Sequence, residues 1–402
     1  MSVRRIAPRF VFQGLGILVI NAVLSSGVPA AGSAQVWLDT PTATLPEDFG
    51  AIQTVRELPD GRVLVADPLG KALYVVDLEG GQRTVVGREG QGPTEYRQPD
   101  AVWPLPDGRT LLVDLGNGRL TKLGADLSFG DTHRIAVGEP QMGQPMVIAI
   151  PQGVDGNGNV YSRAMGGGMG GGAYPDSAEI LRIDPAEGTS ASAATFKIQS
   201  VTQQTSGGAN NQRVSISPIP LSPQDAWGVA PDGTIIIARV GDYHLERIGS
   251  SGSTTQGPAI PFDPVRIGRA EKEEYVSSQS RSGGGIAVGV EVQNGQMSMS
   301  FARGGADDED RQIDQYTWPE VKPPFYGGRL PVDPAGRAWV QRHVEAGEPS
   351  TYDVFDTQGN RLNTVLMEHG KRVVGFGEGT VYVVAFDEFD LNYLERYAMP
   401  GF

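Results

Sequence analysis

Residues Leu105–Asp114 read LPDGRTLLVD: a Pro-Asp-Gly turn, then a short apolar run that ends on an acid. The same phrase stands earlier as LPDGRVLVAD, from Leu58 to Asp67, with the two turn glycines, Gly61 and Gly108, 47 residues apart. Weaker copies follow: DGNGNVYSR from Asp155, PDGTIIIAR from Pro231, DPAGRAWVQR from Asp333 and GEGTVYVVA from Gly377. A tight turn feeding a β-rich run, returning at about one blade length, marks an all-β fold built by radial repetition. The copies predict a six-bladed β-propeller of four-stranded antiparallel blades.

Working outward, the blades fall at about 46–88, 97–138, 146–199, 225–262, 323–367 and 372–400. Insertions occupy 165–177, with the run MGGGMGGGA, and 263–321. The first lacks the apolar content to fold alone and reads as a lid or as a hairpin extension. In the second, 268–278 predicts a short helix, 286–292 and 296–301 predict strands, and Asp307-Asp308-Glu309-Asp310 reads as a solvated acidic loop. The last blade shows only three strands. An N-terminal segment, 36–45, is expected to supply the fourth against Tyr393–Met399, since closure of this kind removes an open sheet edge.

Residues 1–34 read as a signal peptide. Arg4, Arg5 and Arg9 precede a mostly apolar stretch from Phe10 to Leu24, and Gly32-Ser33-Ala34 offers small residues for cleavage. That stretch falls short of the roughly 20 residues a bilayer span needs, which favours cleavage over anchoring. Cleavage after Ala34 leaves 368 residues, 35–402, addressed to the periplasm or the exterior, with no stable membrane insertion. Loss of the three arginines takes the net charge from −14 to −17, which repels nucleic acid. The chain contains no cysteine, so disulfides, thiolate nucleophiles and Cys-ligated zinc are excluded together.

From Gly87 to Asp126 the chain resembles an NHL repeat. The positions carrying the likeness are Gly90, Gly92-Pro93, Tyr96, Pro99, Asp107-Gly108, Asp114 and Asn117-Gly118-Arg119. The match is good over about 40 residues and partial in the first blade, where Lys71-Ala72 replaces the Asn-x-Arg element. The later blades keep only the turn and the strand. The resemblance implies an exported six-bladed propeller of the NHL-repeat or TolB-like type. Gly92, Pro93, Asn117 and Arg119 then have structural roles, and Asp114 is expected to accept from nearby amides or from Arg119.

Complete catalytic motifs are missing. Asp155-Gly-Asn157-Gly-Asn159 opens like a calcium loop but carries Val160 where glycine is needed and Gly166 where glutamate is needed. There is no GxSxG and no HExxH, and only four histidines, His133, His244, His343 and His369. One constellation remains. Six positions after the turn glycine stand Asp67, Asp114, Ala164, Arg239, Arg342 and Ala385, with His244 and His343 near the arginines. Two readings of it stay open: a polarised ligand-binding pocket in which Arg239 and Arg342 grip a carboxylate or phosphate, or rim charges paired with loop residues. The function expected is a binding module for a protein or a small anionic ligand, acting as a monomer. The alternative is a propeller enzyme, a metal-dependent lactonase or hydrolase or a lyase, with an axial active site. No cofactor is implied, the axis being the one place open to a divalent cation.

Overall fold

The computed structural model describes residues 1, 34–137, 147–164, 174–206, 213–281, 286–293, 296–303, 313–387 and 389–402. The expected signal peptide, the 165–173 glycine run and the acidic 307–310 segment lie outside them. The chain divides into Met1–Gly32 and Ser33–Phe402, and the second unit carries every sheet.

The protein is an all-β, six-bladed propeller. The first three blades are Val55–Glu57 to Gln82–Val85, Pro99–Pro104 to Phe129–Arg134, and Gly153–Val154 to Thr189–Lys197, each antiparallel and four-stranded. The fourth runs from Ala226–Val229 to Thr254–Gln256 and the sixth from Arg372–Gly377 to Asn392–Ala398. In the fifth, bridges Phe325↔Arg342 and Val332↔Ala338 set the innermost run against Ala338–Gln341, followed by Ser350–Phe355 and Arg361–Met367. The glycine of every repeated turn (Gly61, Gly108, Gly158, Gly233, Gly336 and Gly379) has a φ between +70° and +84°. Side-chain-bearing residues resist that conformation, which explains why glycine is the constant letter of the phrase.

Blade packing also explains why the second strands are apolar throughout rather than alternating. Val63 and Val65 join a core with Val374 and Tyr382 of blade six. Leu64 and Ala66 face the other way, into a core with Val102 and Leu112 of blade two. Each strand is buried on both faces, as happens when a sheet is sandwiched between neighbours. Six such cores join blades one–two, two–three, three–four, four–five, five–six and six–one, so the ring is closed by packing as well as by hydrogen bonds.

The last blade is closed by the N-terminal segment, as the strand deficit indicated, but only Ala43–Thr44 does this, antiparallel to Glu395–Arg396. The preceding strand, Ala34–Leu38, runs parallel to Asn363–Met367 as a fifth strand of blade five. Pro41 lies between them with no backbone N–H to pair, at the break between the two strands. Leu38 and Leu45 anchor the two pieces in the cores of blades five–six and six–one.

In the second insertion, a helix over Arg269–Arg281 precedes a hairpin of Ile286–Gln293 with Gln296–Arg303. Glu271 caps the Gly268 amide and accepts from Ala346 N, and Glu274 lies 3.6 Å from Lys322 and 3.4 Å from His369. The helix is thereby tied to the face where blade five's second strand ends. Among the described residues, no helix is long and apolar enough to cross a membrane.

Candidate functional site

The charges at the ends of the second strands are engaged locally. Asp67 accepts from the amides of Gly50, Ala51, Leu69 and Gly70, fastening the start of its blade to its own hairpin. Asp114 does the same with Arg97, Gln98 and Asn117 amides, and Arg119 lies 3.3 Å away. Asn117 donates to Asp114 and Gly90 O, and Arg119 donates to Gly92 O. Pro93 lies exposed in the same connector. In blade four the arrangement is inverted: the acid, Asp225, immediately precedes the innermost strand, accepts from Val240 N and pairs with Arg239 at 2.9 Å.

Arg239 is also paired with Glu246, and His244 is bonded to Asp242. Both line an open cleft of about 770 Å³. The Arg342 Nε stands 3.8 Å from buried Asp353, which also accepts from Tyr243 and Thr364. Arg239 and Arg342 therefore have separate acids and share no partner, because each answers a carboxylate of its own blade. His343 is buried, its Nδ1 2.9 Å from Pro323 O and its ring 3.9 Å from that of Tyr326. Burial pushes its pKa down to about 3, with the Lys322 charge adding to the effect, so it is neutral.

A different pair of arginines meets on the axis. Arg329 lies on the inner run of blade five where Gly328–Arg329 pairs parallel with Ala226–Trp227 of blade four, and it donates to Gln53 O of blade one at 3.0 Å. Its guanidinium also lies over the Trp103 ring of blade two, 5.0 Å from the centroid. Arg372, on the innermost strand of blade six, donates to Ile52 O at 2.7 Å. Around them the blades are laced together: Thr54 exchanges two hydrogen bonds with the Val102 backbone, and Gln152 donates to Trp227 O and Gly328 O. Gly228 permits a close approach of backbones, since a Cβ there would fall 2.2 Å from Leu330 O.

Both axial arginines line a cavity of about 100 Å³ together with Tyr326, Gln341 and Tyr352. The remaining wall is aliphatic, including Leu330, Val340 and Val373. Among the described residues no acid lies within ion-pairing distance of Arg329. Burial, and then the charge of Arg372, lower its pKa to about 10, which leaves it charged at neutral pH. Burial pushes Tyr352 up to about 12, so its hydroxyl keeps its proton. Tyr352 accepts from Val373 N through its oxygen, which leaves its O–H to donate. The cavity thus combines two cations with hydroxyl and amide donors. Among the described residues no group of three or more His, Cys, Asp or Glu side chains is placed to hold a metal ion.

The sequence held a signal for this pair. Seven positions before the turn glycine stand Thr54, Ala101, Pro151, Ala226, Arg329 and Arg372. Counting forward from the glycine finds the blade's outer hairpin; counting back finds the strand that lines the axis.

No family model matches the chain, and no curated protein sequence matches it. Similar solved structures include a putative exported protein from Bacteroides fragilis, 10% identical over 91% of this chain and 100% of that one, TM-score 0.40. A gluconolactonase from Xanthomonas campestris is 10% identical over 89% and 93%, TM-score 0.39. Virginiamycin B lyase from Staphylococcus aureus is 10% identical over 90% and 99%, TM-score 0.36. These likenesses are distant, and the propeller is established by the chain's own strand pairing.

Proposed function

We propose that this chain is an exported, NHL-like propeller that binds a small anion on its axis, between blades five and six. The observation that carries the reading is the convergence of Arg329 and Arg372 on one cavity, with no acid among the described residues paired to Arg329. Two like charges facing one cavity repel, and an anion between them offsets that repulsion. At this level of the axis the two cations favour an anion over a divalent cation. The larger cleft at Arg239 supports the reading less, because Asp225 and Glu246 already neutralise that guanidinium.

The catalytic alternative, a lactonase, hydrolase or lyase on the axis, needs a reacting group beside the arginines. The titratable neighbours are Tyr326 and Tyr352, and the raised pKa of Tyr352 suits it to donating hydrogen bonds rather than taking protons. Export rests on the basic start, the apolar stretch and the small residues before Gln35. Fractionation of cells expressing the full chain tests it, an intact cytoplasmic product being the adverse result. The binding reading is tested by anion-induced thermal shifts for wild type and Arg329→Gln/Arg372→Gln. Shifts that are identical in the two proteins end it.

A further inference from the structure

Resting on that reading, we infer that the axial ligand is a short aliphatic monocarboxylate of two to four carbons, and not phosphate or a larger acid. The first ground is size. A cavity of about 100 Å³ corresponds to the liquid volume of roughly three water molecules. That accommodates a carboxylate with a short tail, whereas a sugar, a nucleotide or a longer chain would have to extend beyond the cavity.

The second ground is polarity by direction. The guanidinium groups of Arg329 and Arg372 and the Tyr352 hydroxyl supply donors, whereas Leu330, Pro331, Val340 and Val373 make up most of the rest of the lining. A carboxylate carries both its oxygens at one end, where the donors are, and its methyl or ethyl group can lie on the aliphatic wall. Phosphate carries oxygens in every direction. Whichever way it turns, some of them face hydrocarbon and lose hydration without a replacement. A dicarboxylate meets the same penalty with its second charge.

The Arg329 guanidinium adds a geometric preference. Its Nη1 is committed to Gln53 O and its face lies on Trp103, so the plane of the fork is held. A planar carboxylate pairs with a held fork through parallel N–H···O bonds, which lysine could not reproduce.

The test is calorimetric titration of the purified chain at constant ionic strength with acetate, propionate, butyrate, hexanoate, succinate and phosphate. Wild type, Arg329→Gln, Arg329→Lys and the rim variant Arg239→Ala are compared. Expected are saturable heats for acetate through butyrate and at least a tenfold loss for hexanoate, succinate and phosphate. Arg329→Gln and Arg329→Lys should each weaken acetate at least tenfold, while Arg239→Ala leaves it within twofold. Arginine-dependent binding of phosphate with silent carboxylates would overturn the ligand class and leave the anion site standing. Absence of any saturable anion, or heats that ignore Arg329, would overturn both. Should the Arg329 variants fail to fold, the chain-length and phosphate series on wild type still decides the class.

Discussion

Arg329 and Arg372 donate to consecutive backbone carbonyls of blade one, Gln53 at 3.0 Å and Ile52 at 2.7 Å. One charge comes from blade five and one from blade six, and both end on the strand that follows the ring's closing seam. A ligand held between them is therefore coupled to the contact between the last blades and the first.

That coupling predicts where a bound anion acts. Saturating acetate should slow backbone hydrogen exchange in peptides covering 51–57, 326–332 and 372–377, and leave 235–248 of blade four unchanged. Mass-spectrometric exchange with and without acetate measures this. Uniform protection of all six blades would contradict a site at the seam.

His343 predicts an acid-sensitive stability. Its folded pKa is depressed to about 3 by burial, against an ordinary 6.5. Between those values the unfolded chain binds a proton that the folded chain refuses, so stability is full above about pH 6.5 and falls as pH drops toward 3. Replacement by Phe keeps a ring against Tyr326 and removes the titration. The fall in melting temperature from pH 7 to pH 4.5 should be smaller in His343→Phe than in wild type. Equal falls would show that other groups carry the effect.

Two glycines should fail for opposite reasons. Gly61 has φ +83° and open space around its missing Cβ, so Gly61→Ala meets only backbone strain, about 1–2 kcal/mol. Gly228→Ala would place a methyl 2.2 Å from Leu330 O, between the innermost strands of blades four and five. Its loss in urea unfolding should exceed that of Gly61→Ala by about 2 kcal/mol or more, because overpacking there forces strands apart. Comparable losses would contradict this view of the axis.

Leu45 should matter out of proportion to its short strand. It is fully buried in the core joining blades six and one. Leu45→Ala is expected to destabilise by about 2–5 kcal/mol, and deletion of 35–45 should lower the melting temperature sharply. An unchanged melt after that deletion would contradict closure by the N-terminal segment.

The fold was legible because each blade repeats a local demand: a positive-φ glycine followed by a strand buried on both faces. Gly61, Gly108, Gly233 and Gly336 announce it without reference to distant residues. The division of the N-terminal segment between two blades was not legible, since Ala34–Leu38 finds its partners more than 300 residues away. The axial site was hidden for a related reason. Arg329 and Arg372 gain meaning only when blades five and six are set beside Ile52 and Gln53. Arg239 and Arg342 drew attention as departures from an acidic pattern, but the carboxylates that answer them, Asp225 and Asp353, stand elsewhere in their blades. A charge's partner is a matter of tertiary register, which the repeat phrase does not encode.

The shared use of the N-terminal segment also sets an order of events during folding. Ala34–Leu38 and Ala43–Thr44 pair with Asn363–Met367 and Glu395–Arg396, more than 300 residues further along, so they find their place only after blades five and six have formed. Until then these strands have nowhere to pair, and the sheet edges they will cover do not exist. Contacts of such sequence separation form slowly, because the loop between them must be closed first. The chain therefore cannot finish folding piecemeal from its beginning: blades one to four can collapse early, while the ring is sealed only once blades five and six have formed.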